Sequence, residues 1–170
     1  MVRIAFLVGH TSKSKGAYSF YFGRGEFDFW RGFECELSEV GDVFYHDHNI
    51  KSYTKRQNKA SYELSDYDVV FELHFNAANS KAKGCEALYL KGNESSKDIA
   101  ILFADSYQHL TKSKNRGAKA LYSRLQRGYG FVKSQRANGI ILEPFFGDNK
   151  EDCKLFNIDH FLTAVKKSII

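Results

Sequence analysis

Arg3-Ile-Ala-Phe-Leu-Val-Gly9, Asp68-Val-Val-Phe-Glu-Leu73 and Gly139-Ile-Ile-Leu142 are the segments that decide the fold. Each is a short apolar run, and each stops abruptly at a polar side chain: His10, His74 and Glu143. Short apolar runs bounded by polar, glycine-containing segments read as buried strands. Asp42-Val-Phe-Tyr-His46 and Cys85-Glu-Ala-Leu-Tyr-Leu90 read as further strands. Between them lie stretches with helical spacing. Asp28 to Val40 carries Phe29, Trp30, Phe33 and Leu37, and Asp98 to Leu110 carries Ile99, Leu102, Phe103 and Tyr107 on one face. Lys55 to Leu64 is a weaker helix, and Ile158 to Ser168 closes the chain as the last one. Strands alternating with helices argue an α/β layer architecture. In an open α/β sheet the carboxyl ends of the strands gather along one edge, where ligands bind. Two imidazoles and a carboxylate delivered to that edge are the raw material of a catalytic metal site.

Composition narrows the classes. At 170 residues with 43% hydrophobic side chains, a single folded domain over residues 1–170 is expected. The only proline is Pro144, and no linker, repeat or low-complexity stretch divides the chain. No segment is long and apolar enough to span a membrane. Met1-Val-Arg-Ile enters a strand directly, without the pattern of a signal peptide, so synthesis in the cytoplasm is expected, and action outside would need something else to release the chain. Cys35, Cys85 and Cys153 are widely spaced and contain no CxxC, which reads as buried or half-buried reduced thiols. The net charge of +5 favours an anionic partner: nucleic acid, anionic membrane or anionic cell wall. The basic residues of Lys112 to Lys119 and of Arg124 to Arg136 read as solvated loops.

Residue type and position leave several side chains with two readings. Glu26 stands where the first helix begins, at the end of a glycine- and serine-rich loop running from His10 to Gly25. It either complements the helix dipole or is folded back beside His10 as a third ligand. His46-Asp-His48 is an arrangement found in zinc sites, but the polar Asn49-Ile-Lys-Ser after it favours a surface loop. His109 and His160 read as surface residues, and Asp148 and Asn149 as turn and cap residues.

The ordered set of segments is more specific than any one of them. Val8-Gly-His10, Gly16-Ala17, Glu26, Glu72-Leu-His74-Phe-Asn76-Ala77 and Lys83-Gly-Cys-Glu86-Ala-Leu-Tyr89 follow one another along the chain. Asn115-Arg-Gly-Ala-Lys119 and Leu142-Glu143-Pro-Phe-Phe-Gly-Asp-Asn149 complete the series. In this order they resemble the zinc-dependent N-acetylmuramoyl-L-alanine amidases of the amidase-3 type, in particular the catalytic domains of bacteriophage endolysins. The resemblance implies a twisted mixed, mostly parallel sheet of about six strands with helices on both faces. It implies Zn2+ held by His10, Glu26 and His74, with Glu143 as the catalytic acid and base. It implies hydrolysis of the amide between N-acetylmuramic acid and L-alanine in peptidoglycan, by a monomer that does not bind nucleic acid. An endolysin would be made in the host cytoplasm and act on the wall after release.

Asn76 and Glu86 match the family pattern and read either as residues orienting His74 or the attacking water or as buried hydrogen-bonded polar residues. Arg116 is a candidate for meeting a substrate carboxylate through its planar fork. Two departures stand out. The loop holding Tyr18, Phe20, Tyr21 and Phe22 does not align, which leaves Asp28, Glu34 and Glu36 as fallbacks for Glu26, and its aromatic rings are candidates for packing on the sugar or the peptide. Pro144 directly after Glu143 is also unusual. Two other classes compete: a non-catalytic domain that binds the cell wall or another polyanion, and a peptidoglycan glycosidase using Glu143 with a second carboxylate.

Overall fold

A computed structural model of the chain describes residues 2–169. β1 (Ile4–Val8) leads through a small hairpin, β2 (Tyr18–Ser19) and β3 (Arg24–Gly25), into α1 (Glu26–Arg31) and α2 (Glu34–Ser38). β4 (Asp42–Tyr45), α3 (Tyr53–Glu63), β5 (Val69–Leu73), β6 (Cys85–Leu90) and α4 (Glu94–Thr111) follow. The chain ends with β7 (Asn115–Leu121), α5 (Tyr129–Ser134), β8 (Asn138–Glu143), α6 (Lys150–Cys153) and α7 (Ile158–Ser168).

The sheet has six strands in the order β4-β1-β5-β8-β6-β7. β4, β1, β5 and β8 run parallel, and β6 pairs antiparallel with β8 and parallel with β7. The central strands are covered on both sides, so their sequences are continuous apolar runs without alternation. Ile4, Phe6, Val8, Val69, Phe71, Leu73, Ile140 and Leu142 face a core built with α1, α4 and α7. Ala5, Leu7, Val70 and Ile141 face a second core built with α3 and α5. No helix among the described residues is long and apolar enough to cross a membrane.

Three elements differ from expectation. The helix expected over Asp28 to Val40 is broken at Gly32 and Phe33 into α1 and α2, because glycine weakens a helix interior. Lys112 to Lys119 is not a solvated loop: Asn115–Leu121 forms the edge strand β7, whose exposed position tolerates Arg116 and Lys119. Part of the second basic stretch is the helix α5, whose Phe131 and Val132 are buried. Leu102 lies on the exposed side of α4, whose buried face is Ala100, Phe103, Ala104 and Tyr107. Cys85 and Cys153 are buried, whereas Cys35 is exposed.

One feature of the first core bears directly on the site. Phe22 of the hairpin, Phe29 of α1, Phe75 after β5 and Phe145 after β8 form one aromatic block. Ring centroids are 4.7 Å apart for Phe22–Phe29, 5.7 Å for Phe29–Phe75 and 5.4 Å for Phe75–Phe145.

Candidate active site

The strand directions explain why distant residues converge. β1, β5 and β8 end at the same edge, which delivers His10, His74 and Glu143 there. Because β6 runs the other way, its beginning lies at that edge too, with Glu86 in register with Glu143. β7 runs with β6, so Arg116 near its start arrives at the same place.

Glu26 reaches the site because the loop after β1 doubles back. Glu26 N–H donates to Ala17 O at 3.0 Å and Phe27 N–H to Lys15 O at 3.1 Å, which holds the head of α1 against the loop. The Glu26 carboxylate is buried and makes no cap on its own helix. Its Oε1 accepts from Ala17 N–H at 2.8 Å and its Oε2 from Phe75 N–H at 3.3 Å. Its remaining contacts are His10 Nε2 at 3.2 Å and His74 Nδ1 at 2.9 Å. Of the two readings open to Glu26, the structure shows the folded-back one. Asp28 instead pairs with Lys15 and Glu34 accepts from Tyr45 O–H, and none of the three fallbacks, Asp28, Glu34 and Glu36, joins the cluster of His10 and His74.

The fit is tight. Ligand atoms of His10, Glu26 and His74 all lie within 4.8 Å of one another. His10 adopts a left-handed backbone, φ 67°, a strained conformation that persists where surrounding contacts over-determine it. A Cβ on Gly16 would lie 2.6 Å from His10 Nε2 and 2.8 Å from Glu26 Oε1. A Cβ on Gly9 would lie 2.5 Å from His74 Nε2. Both positions need glycine because the histidine rings occupy that space. Burial raises the Glu26 carboxyl, but the hydrogen bonds and charges of His10 and His74 outweigh it and bring the carboxyl down to about 2. Burial likewise lowers the His74 imidazole, and Glu26 and Glu72 together push it well above its ordinary value of 6.5. The donor set, two imidazoles and a carboxylate with an open side toward the cleft, suits a catalytic zinc ion.

Glu72 and His46 belong to this cluster, and residue-by-residue reading missed them. His46 is buried, 7% exposed, so the surface-loop reading of His46-Asp-His48 fails for its first histidine; His48 is exposed. Glu72 is 3% exposed. Its Oε1 lies 2.9 Å from His46 Nε2 and accepts from Gln57 Nε2 at 3.1 Å, and its Oε2 lies 3.3 Å from His74 Nε2. Burial opposes the Glu72 charge, but the hydrogen bonds from His46 and His74 hold the carboxyl well below the usual carboxylate range. The far nitrogen of a ligating histidine is commonly oriented by such a carboxylate. The signal was a charged residue inside the apolar run of a central strand.

Glu143 lies beside the three donors and outside their cluster. Burial pushes its carboxyl up to about 8; His74 pulls it down, and Glu86 and Glu26 push it further up. Asn76 Nδ2 donates to Glu143 Oε2 at 2.7 Å and to Glu86 Oε1 at 2.8 Å. Arg116 Nε in turn donates to Glu86 Oε2 at 2.6 Å, with its guanidinium 5.0 Å from the Phe146 ring. Asn76, Glu86 and Arg116 thus form one chain that ends on Glu143. Arg116 is fastened to Glu86 instead of reaching into open space.

His10, Glu26, His46, Glu72, His74, Asn76 and Glu143 open on a cleft of about 1080 Å³, which Glu86 and Arg116 do not line. Gly16 and Ala17 line it, but the aromatic loop does not: Tyr18, Phe20 and Tyr21 face solvent and Phe22 turns into the core. Asp148 Oδ2 accepts from Ala78 and Ser80 N–H, and Asn149 caps α6, the turn and cap roles read from their types. His109 and His160 are exposed.

A family model described as N-acetylmuramoyl-L-alanine amidase matches residues 4–170. Among solved structures, the catalytic domain of the CD27L endolysin targeting Clostridia Difficile is similar at 23% identity, with 99% of this chain and 97% of that one covered and a TM-score of 0.77. An N-acetylmuramoyl-L-alanine amidase from Clostridium difficile 630 is similar at 19% identity, with 99% and 95% coverage and a TM-score of 0.75. A putative N-acetylmuramoyl-L-alanine amidase from Neisseria meningitidis is similar at 25% identity, with 98% and 93% coverage and a TM-score of 0.67. No curated protein sequence matches the chain.

Proposed function

Since the chain belongs to the amidase-3 family of N-acetylmuramoyl-L-alanine amidases, we propose that it is a zinc-dependent hydrolase of the amide between N-acetylmuramic acid and L-alanine in peptidoglycan. The observation that carries this reading is the separation of roles at the strand ends. Three donors, His10, Glu26 and His74, converge within 4.8 Å, while Glu143 shares the cleft without joining them.

His10, Glu26 and His74 would hold the zinc, which when bound polarises the scissile carbonyl and acidifies the attacking water. Glu143 takes the proton from that water as it attacks the carbonyl carbon. The same carboxyl returns the proton to the departing nitrogen as the tetrahedral intermediate collapses, leaving a free amine on L-alanine. Burial raises the Glu143 carboxyl, so it holds a proton more readily than an ordinary carboxylate and can return it to the leaving nitrogen. Asn76 fixes Glu143 through Oε2. Glu72 fixes His74 through Nε2 and so aims Nδ1 at the ligand position.

Digestion of purified peptidoglycan tests the reading. Free amino groups on L-alanine with no new reducing sugar are expected, lost with a chelator and restored by zinc. New reducing ends without free amines would overturn it in favour of a glycosidase, and binding without any new ends would favour a wall-binding domain. His10→Ala, Glu26→Ala and His74→Ala are each expected to lose zinc; full zinc content in all three would reject the ligand set. The proposal extends to a phage endolysin, a monomer made in the host cytoplasm that reaches the wall only after release. Its support is the ordered resemblance of the segments. Expression inside a bacterium is expected to leave the culture intact until the membrane is permeabilised, when turbidity falls; lysis without permeabilisation would reject that placement.

A further inference from the structure

The cleft has two electrical halves. Its acidic half holds Glu26, Glu72 and Glu143 at the sheet edge. Another part of the lining comes from α3, α5 and the loop between β7 and α5, and carries Arg124, Arg127 and Lys133. These belong to the face of the sheet opposite α1: Gly128 abuts Ile141, and Phe131 and Val132 pack in the α3–α5 core. Glu26 thus reaches the cleft from one face of the sheet and the three cations reach it from the other.

The three cations are uncommitted. Among the described residues, no carboxylate pairs with Arg124, Arg127 or Lys133, although Lys59, Lys97, Lys154 and Arg116 all have acidic partners. The other cleft arginine, Arg56, is spent on the backbone, donating to Ile50 O and Lys51 O. Arg116, the sequence-based candidate for a substrate carboxylate, is spent on Glu86. Unpaired guanidinium groups in a concave site are matched by planar anions, above all carboxylates.

We propose that Arg124, Arg127 and Lys133 form a carboxylate-binding subsite that takes the acidic part of the substrate's peptide arm beyond L-alanine. This rests on the amidase reading, which puts the scissile amide at the acidic half of the cleft. The peptide arm then runs from the His10–Glu26–His74 cluster toward α5, and the subsite selects arms with free carboxylates over amidated ones. Because these side chains are exposed, each contact is individually weak and salt-sensitive.

The test uses N-acetylmuramoyl-L-alanyl-D-glutamate with both glutamate carboxyls free, against the same compound with both amidated. The zinc-loaded chain is expected to show a KM about tenfold lower for the free acid with similar kcat, the gap shrinking at high salt. In the Arg124→Ala/Arg127→Ala/Lys133→Ala variant the gap should collapse. Lys166→Ala/Lys167→Ala, which removes charge from α7 outside the cleft, should keep it. Equal KM values in the native chain, or a gap that survives the triple variant, would overturn the subsite. Calorimetric titration of the metal-free chain with the free acid reads the subsite without catalysis. Binding that weakens in the triple variant supports it even if no hydrolysis occurs, a result that would instead overturn the amidase reading. No difference between native and variant titrations overturns the subsite alone.

Discussion

In the proposed zinc site, the metal would compete with a proton shared by His74 and Glu26. In the metal-free chain His74 Nδ1 and Glu26 Oε2 are 2.9 Å apart, and His74 is pushed well above its ordinary 6.5 by Glu26 and Glu72 against the effect of burial. The raised imidazole favours a proton held between His74 and Glu26, which zinc would displace. One proton released per ion means that the apparent Kd for zinc falls about tenfold for each unit of rising pH, a difference of about 1.4 kcal/mol. The trend holds until pH passes the imidazole's folded value. Stability of the metal-free chain moves the opposite way. A histidine raised by its partners contributes fully below 6.5, and that contribution is lost as pH climbs through its folded value. At free zinc of 100 times Kd, the ion adds about 2.7 kcal/mol, which for a chain of this size is about 5–11 °C in Tm. One pH unit lower at the same free zinc, only about 1.4 kcal/mol and half the shift remain. Competition with a chromophoric chelator at pH 6 and pH 7, with thermal melts of metal-free and zinc-loaded protein, reads both quantities. A Kd that does not change between pH 6 and pH 7 would refute the shared position of proton and metal.

Four substitutions probe the rest. Glu143→Gln is expected to cut kcat by about 10²–10⁴ while zinc binding stays native; amine release and zinc titration separate the two. Glu72→Gln should weaken zinc binding by about 10–100-fold, with far-UV circular dichroism unchanged, because His74 loses its orienting carboxylate. Gly16→Ala places a methyl 2.5 Å from His10 Cδ2 at φ 78°. The backbone alone costs about 1–2 kcal/mol, and zinc content after dialysis should drop. Phe29→Ala opens the aromatic block and should cost about 3–5 kcal/mol in urea unfolding.

How much of this was legible in the sequence depended on burial. β1, β5 and β8 were readable because strands covered on both faces are apolar throughout, and their polar terminators marked the functional edge. β7 was not, because an edge strand carries Arg116, Gly117 and Lys119 and looks like a loop. His10, His74 and Glu143 follow from strand ends, whereas Glu26 depends on hydrogen bonds between Lys15–Ala17 and the head of α1 that no periodicity encodes. His46 was misread because its neighbours Asp47 and Asn49 are polar; only its distance to Glu72, 26 residues away, reveals its partner. Arg116 reads in the sequence as lying in a solvated loop and as a contact for a substrate carboxylate; its place at the edge and its commitment to Glu86 are tertiary facts.

The aromatic block sets a gauge for the chemistry. Phe29 lies one helical turn after Glu26, Phe75 directly follows His74, and Phe145 comes two residues after Glu143. The segments bearing Glu26, His74 and Glu143 are thus clamped to one another by rings as well as by the sheet. Phe22 adds the hairpin to the same clamp, with centroids 4.7 Å from Phe29 and 5.6 Å from Phe145. Residues on one loop consequently face opposite mutational regimes. Phe20, 89% exposed, can be exchanged freely to retune solubility or surface contacts, while a smaller side chain at Phe22 loosens the spacing of Glu26, His74 and Glu143 without touching any of them.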